Sequence, residues 1–396
     1  MEDKKSRSRK ERRGMKKSKV YYTDARSLQY RHDFSLPAKY KRLLEAGNFK
    51  SYIPSGKKVA VKIHFGTSGA FRIIRPPFLR ITVEEIKAAR GIPFITDTGG
   101  LSKLEAAVQN GITELSVGAP VIVAGGIDDT DAVMVKTGGA LLGEIGVAGA
   151  IYDADVMVVV SHAKGHIQSG FGGALKNVAM GCVATQNRAG ENQRGRMHAK
   201  SEAPFQWDEK LCTLCGQCVE VCSYTAKAVS MKDKKVIIDT NRCWRCGRCV
   251  RVCPTGALSV DLDDKTFSTG LAESCKAVLS TFEAQHVAFV NVILEFQPEC
   301  DCMSMADTPI IQDQGILFSD DPVAIDAATL DLCAKTRPLP QSRAEDQGIG
   351  EAGPDMLKKV IGPDPWVPIR VAEEMGLGTT KYEIIPIEPG KQSKRS

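Results

Sequence analysis

The sequence of 396 residues has no uninterrupted apolar stretch long enough to span a membrane. Its longest hydrophobic region, Ala140 to Val160, is broken by Glu144, Asp153 and Asp155, and the first thirty residues hold no apolar run of signal-peptide length. A cytoplasmic, non-spanning protein is expected. Also missing are the phosphate-binding G-x4-G-K-S/T loop, a dinucleotide G-x-G-x-x-G opening a helix after a strand, and a G-x-S-x-G nucleophile elbow. No C-x3-C-x2-C spacing of the radical-SAM type occurs either. These absences argue against a bound nucleotide and against serine acyl-transfer chemistry.

Charge and cysteine are plentiful, but neither is spread evenly. The formal net charge is +6. Residues 1–19 carry ten Lys or Arg against three acids, which leaves the rest of the chain near neutrality. Such a segment buries too little apolar surface to fold, so residues 1–19 are expected to be a disordered, solvated basic tail rather than a nucleic-acid arm, and Met15 is a candidate start. Eight of the thirteen cysteines crowd between residues 212 and 253 at metal-ligand spacing, which points to a reducing compartment rather than to disulfides.

Short apolar runs recur, each followed by Gly- or Asp-rich turns and helix-like stretches: 59–63, 93–96, 120–123, 156–160 and 287–293. Continuous apolar character, rather than alternation, fits strands covered on both faces. The expected fold is α/β, with a mostly parallel sheet. Ser102 and Glu105 stand at capping-box spacing, and Asp321-Pro322 offers an N-cap acid ahead of a first-turn proline. Residues 185–206 turn polar and irregular, as a linker would, and the strand and helix patterns resume after the cysteines. The core is therefore expected to be discontinuous, 20–205 and 263–386, interrupted by a small α+β unit at 206–262, with a loose tail at 387–396.

Cys212, Cys215, Cys218 and Cys222 form C-x2-C-x2-C-x3-C, and Cys243, Cys246, Cys249 and Cys253 repeat it ahead of Pro254. Residues 226–230 and 255–259, downstream of the two runs, echo one another as well, so the segment is an internal duplication. This is the arrangement of a two-cluster ferredoxin, in which the fourth cysteine of each run ligates the other cluster. Two 4Fe-4S clusters are expected, one on Cys212, Cys215, Cys218 and Cys253, the other on Cys243, Cys246, Cys249 and Cys222. Gly216 and Gly247 sit where the backbone passes close to the sulfurs. Ser223 replaces the proline that follows the fourth cysteine in the second run.

In the core, Ser161-His162-Ala163-Lys164-Gly165-His166 begins at the carboxyl end of an apolar run, where open α/β sheets place ligands. It continues into a glycine-rich turn ahead of a helix, where Gly172, Gly173 and Asn177 are expected to hold an anion beside Lys176. His64 and Asp97 also follow strand-like runs; Asp97 reads equally well as a helix N-cap. Cys182, Cys300 and Cys302 are candidates for a further metal or third cluster next to His162 and His166. Cys275 and Cys333 read as small buried hydrophobes. Asp320, Asp321 and Asp326 read as capping and helix-surface residues.

The motifs Lys62-Ile63-His64-Phe65-Gly66, Thr96-Asp97-Thr98, His162 to His166, Gly170 to Cys182, Pro298-Glu299-Cys300-Asp301-Cys302 and Gly315-Ile316-Leu317 through Asp326 closely resemble those of the domain of unknown function 362 family. The resemblance covers nearly everything after Val20. It implies an α/β domain with a dicluster ferredoxin insertion and carries over no substrate.

Two functions follow as expectations. The first is an oxidoreductase that relays single electrons from a donor protein to a pocket lined by His64, Asp97, His162, Lys164, His166 and Lys176, reducing a small anionic or metal-bound substrate. The second is a binding, redox-sensing or metal-delivery protein without turnover of its own.

Overall fold

The computed structural model describes residues 17–198, 205–223, 227–240, 242–243, 245–259 and 264–387. Most of the basic tail, Met15 with it, and residues 388–396 lie outside that range. An eight-stranded sheet organises the rest, in the spatial order Tyr382–Pro386, Ser18–Asp24, Gly315–Ser319, Val287–Ile293, Val156–His162, Lys58–Lys62, Ile92–Asp97 and Val121–Val123. Gly315–Ser319 runs antiparallel to both of its neighbours, while every other pairing is parallel. The five runs expected from apolar character are the last five strands of that order. The core is thus mixed α/β around a large, mostly parallel sheet.

Those strands read as unbroken apolar runs because both faces are covered. Along Val156–His162, Met157 and Val159 enter one hydrophobic core while Val156, Val158 and Val160 enter the other. Val287–Ile293 divides in the same way, with Phe289 and Ile293 on one side and Ala288, Val290 and Val292 on the other. Helices Leu36–Ala46 and Pro76–Ala88 close one face through Tyr40, Leu43, Leu79 and Val83. Ala174–Gly181, Asp264–Leu279, Pro322–Ala334 and Val367–Glu374 close the other. The strand that opens the chain starts at Ser18, not Val20, and pairs with Tyr382–Pro386. Lys19 is therefore strand rather than tail, and Ile387 is held by its N–H donating to the Tyr22 carbonyl at 2.8 Å.

Capping differs from the expectation at one of two helices. Asp321 caps Pro322–Ala334, accepting from the Val323 and Ala324 amides. Ser102 is inside its helix, Leu101–Gln109, whose N-cap is Gly100. There the backbone adopts φ 68°, a left-handed conformation that favours glycine.

The duplicated cysteine segment has a small core of its own, made by Cys218, Val221, Cys222, Val229, Cys249 and Leu258. Its halves repeat in backbone as well as sequence. Leu214 and Arg245 both have positive φ, 55° and 50°, and so do Gly216 and Gly247, 78° and 69°. Each half continues into a short helix, Gln217–Ser223 or Arg248–Arg251, and later a strand, Val229–Lys232 or Leu258–Ser259.

Candidate functional site

The carboxyl edge of the parallel strands opens on a cavity of about 150 Å³. His64 follows Lys58–Lys62, Asp97 ends Ile92–Asp97, and a hairpin of Lys164–His166 with Gly170–Gly172 follows Val156–His162. All three elements reach the cavity, as do Lys176, Asn177, Cys300 and Cys302. Sequence reasoning missed Thr98, Lys103, Arg194, His198 and Arg248, which also line it, together with Cys246 of the second cysteine run.

The cavity is rich in cations whose partners are mostly not carboxylates. Lys103 Nζ donates to the Gly66 carbonyl, Lys176 Nζ donates to Cys300 Sγ at 3.3 Å, and an Arg248 Nη donates to Cys302 Sγ at 2.9 Å. Arg194 Nε donates to the Val183 carbonyl at 3.1 Å, and its guanidinium lies 3.5 Å from Asp129. Burial lowers the Lys103 pKa, with Asp97 and the two thiols acting against it. At Lys176 burial also favours the neutral amine, but the charges of Cys300 and Cys302 outweigh it and the pKa is raised.

Two buried carboxylates anchor this arrangement without presenting free charge to the cavity. Asp97 Oδ1 lies 3.0 Å from Lys62 Nζ, and its other oxygen accepts the Phe65 amide at 3.0 Å. Lys62 Nζ also reaches Asn177 Oδ1 at 2.7 Å. Burial would raise the Asp97 pKa, but Lys62, His64 and Lys103 hold it well below the ordinary carboxylate range. Asp97 is therefore a buried counter-ion and not an N-cap. Asp301, wholly buried, lies 2.8 Å from both Lys164 Nζ and His162 Nδ1. His162 Nε2 contacts the Leu294 carbonyl at 2.8 Å. Both nitrogens of His162 are thus engaged, and the ring does not line the cavity.

The three histidines that line the cavity have lowered pKa values. His64 Nδ1 accepts the Gly66 amide at 2.8 Å, leaving the ring proton on Nε2, and the ring hydrogen-bonds the Cys300 side chain. His166 Nδ1 accepts the Gln168 and Ser169 amides, and burial together with Lys176 and His198 lowers its pKa well below the usual value. His198, stacked on Phe267 at 4.7 Å, is pushed down to about 3 by burial and neighbouring cations.

Four expectations need correction. Gly172 and Gly173 do not line the cavity, because the helix N-terminus at Ala174 already holds an anion from within the protein. Asp326 accepts the Ala174 and Leu175 amides at 2.8 and 3.0 Å and is fully buried, not on a helix surface. Gly173 itself is required by that close approach, since a Cβ there would lie 2.3 Å from Asp326 Oδ1. Cys182 lies in the hydrophobic core, its thiol 3.8 Å from Met157 Sδ and its pKa pushed up to about 12 by burial. It does not join Cys300 and Cys302 in the cavity wall. The polar 185–206 segment is no simple linker, because its Gln193–Met197 helix delivers Arg194, with His198 at its end. Cys275 and Cys333 are fully buried, as their helical settings suggest.

Cys300 and Cys302 remain as a pair. The Met303 amide donates to the Cys300 carbonyl at 2.9 Å, closing a turn, and the two side chains hydrogen-bond each other. That bond and burial raise the Cys300 pKa, while the same bond, with Arg248, Lys176 and Lys103, holds Cys302 well below the ordinary thiol value. Among the described residues no group of three or more His, Cys, Asp or Glu side chains is spaced to hold a metal ion. Among the same residues no helix is long and apolar enough to cross a membrane.

No curated protein matches the chain. Among solved structures it is similar to the lactate racemase apoprotein from Thermoanaerobacterium thermosaccharolyticum, at 13% identity and a TM-score of 0.31, covering 70% of this chain. The match spans about half of that protein, 51%. Residues 59–331, from the second strand of the chain to the helix that carries Asp326, match the family described as a domain of unknown function, DUF362. Strand-end cations, buried counter-ions and the cysteine turn all fall inside that match, and the chain belongs to the DUF362 family.

Proposed function

We propose that the protein is an iron-sulfur oxidoreductase that brings single electrons from a donor protein to the cation-lined cavity, where a small anionic substrate is reduced. The carrying observation is the position of Cys246, which belongs to the second cysteine run and also to the cavity wall, beside Arg248. A relay seated on that run would end at the substrate.

The cysteines suit 4Fe-4S clusters by several features. Cys212, Cys215, Cys218 and Cys253 line one hollow together with Gly216. Backbone amides donate to sulfur, Ala228 to Cys222 at 3.2 Å and Arg245 to Cys243 at 3.3 Å, as thiolate ligands require. A four-iron cubane is wider than a single ion and spreads its thiolates accordingly. Cys243, Cys246, Cys249 and Cys222 would hold the second cluster. When bound, such clusters supply one-electron redox chemistry at low potential.

The chain's own residues would do the rest. Lys103, Arg194, Lys176 and Arg248 attract and orient an anion in a recess where water screens them little. His64 and His166, neutral with their protons on Nε2, can supply protons as charge arrives. Iron and sulfide analysis of anaerobically purified protein tests the reading, with about eight irons per chain expected and a loss of about half of them in Cys218→Ala. Iron-free protein whose cavity binds no small oxyanion or carboxylate by calorimetry would overturn it.

A further inference from the structure

We propose that Cys300 and Cys302 form a reversible dithiol-disulfide couple that gathers two single electrons into the pair a substrate needs. The inference rests on the functional reading above, because it gives those electrons a destination inside the same cavity.

Four observations carry it. The two cysteines are held by one tight turn, closed by the Met303 amide on the Cys300 carbonyl, and their side chains already hydrogen-bond each other. The intervening Asp301 is fixed, wholly buried, between Lys164 and His162, so closing a bond between the flanking sulfurs need not move the residue between them. Each sulfur has its own cationic donor, Lys176 at Cys300 and Arg248 at Cys302, and such donors stabilise thiolate, the form that exchanges with disulfides. Arg248 is two residues from Cys246, and both face the cavity, so the pair lines the same recess as the second cysteine run and touches it through Arg248. A third cluster on Cys182, Cys300 and Cys302 has less support, since Cys182 lies elsewhere, in the hydrophobic core.

The chemistry balances. When the Sγ–Sγ bond forms, the dithiol loses two electrons and two protons, and a small anionic two-electron acceptor takes up both as hydrogen equivalents. In the return step two electrons, arriving one at a time from a low-potential single-electron carrier by way of the cysteine segment, break the bond. Two protons from water, one relayed through the His64 ring at Cys300, restore the thiols. Two one-electron centres would hold the two electrons that one disulfide consumes.

Full-length protein is oxidised with diamide or reduced with dithionite under anaerobic conditions, and free thiols are then alkylated. Peptide mass spectrometry reads the segment that carries both residues, and iron and sulfide are measured on the same samples. The couple is supported if diamide removes both labels from Cys300 and Cys302, dithionite restores both, and Cys302→Ser leaves Cys300 labelled throughout. It is overturned if both residues still alkylate after diamide. An iron-free protein that still closes the disulfide refutes the iron-sulfur reading and leaves the couple standing; a protein with about eight irons and no disulfide does the reverse.

Discussion

Replacing Asp326 with Asn tests how the chain holds the helix that brings Lys176 and Asn177 to the cavity. Asp326 is fully buried and receives the Ala174 and Leu175 amides and Asn291 Nδ2. Burial nevertheless raises its pKa from 3.8 to about 6, against the pull of those donors. The folded value lies above the unfolded one, so folding favours the protonated form. Its contribution is fully present below about pH 4 and is lost as the pH rises through 6. A shift of about 2 units is about 3 kcal/mol at 1.36 kcal/mol per unit. The wild-type unfolding free energy should therefore carry a loss of roughly 3 kcal/mol between pH 4 and pH 7 that the variant lacks. Asn291 and the two amides would meet one carbonyl instead of two carboxylate oxygens, so the variant should also lie about 1–2 kcal/mol lower at the acid end. Urea titrations at half-unit pH steps measure both effects. Parallel pH profiles for wild type and Asp326→Asn would refute the argument, because they would mean that this carboxyl binds protons alike in both states.

Other perturbations follow from the same geometry. Asp301→Asn leaves Lys164 buried without its counter-ion and should cost about 3–5 kcal/mol. At about 2.1 cal/mol/K per residue over 396 residues, that is a fall in Tm of roughly 4–6 °C by calorimetry. Gly173→Ala forces a methyl into Asp326 and the Phe171 ring and should lower Tm clearly, whereas Gly350→Ala, with open space around it, should change Tm by less than about 1 °C. Lys103→Ala and Arg194→Ala should each weaken calorimetric binding of oxalate, sulfate or phosphate by about 10- to 100-fold, the worth of one charge-assisted hydrogen bond. Unchanged affinity in both would remove the anion from the proposal.

The fold was legible where burial dictates composition. Strands covered on both faces must be apolar throughout, and so 156–160 and 287–293 stand out in the sequence. Ser18–Asp24 and Tyr382–Pro386, at the sheet margin, include Lys19 and Glu383 and carry no such signature. Within the site, His64, Asp97, Lys164 and His166 were readable because strand ends are where sheets gather ligands. Arg194 and His198 were not, since polar side chains in an irregular stretch look alike whether they face solvent or a cavity. Asp326 misled for a related reason: a single acid on a helix gives no sign that its partners, the Ala174 and Leu175 amides, lie some 150 positions away. Arg248 was hidden by the cysteines on either side of it.

The short Arg248–Arg251 helix also has a meaning for engineering. Arg248 reaches Cys302, and Arg251 reaches the Ile167 and Ile361 carbonyls at 3.2 and 3.3 Å, so one turn of the cysteine segment is fastened to the core at three points. That segment cannot be exchanged for a generic counterpart as a cartridge would be. A graft that kept every cysteine but lost these two arginines would leave one wall of the recess unfastened, and the recess would widen toward solvent. A transplant of the core alone would carry a trough in place of a chamber.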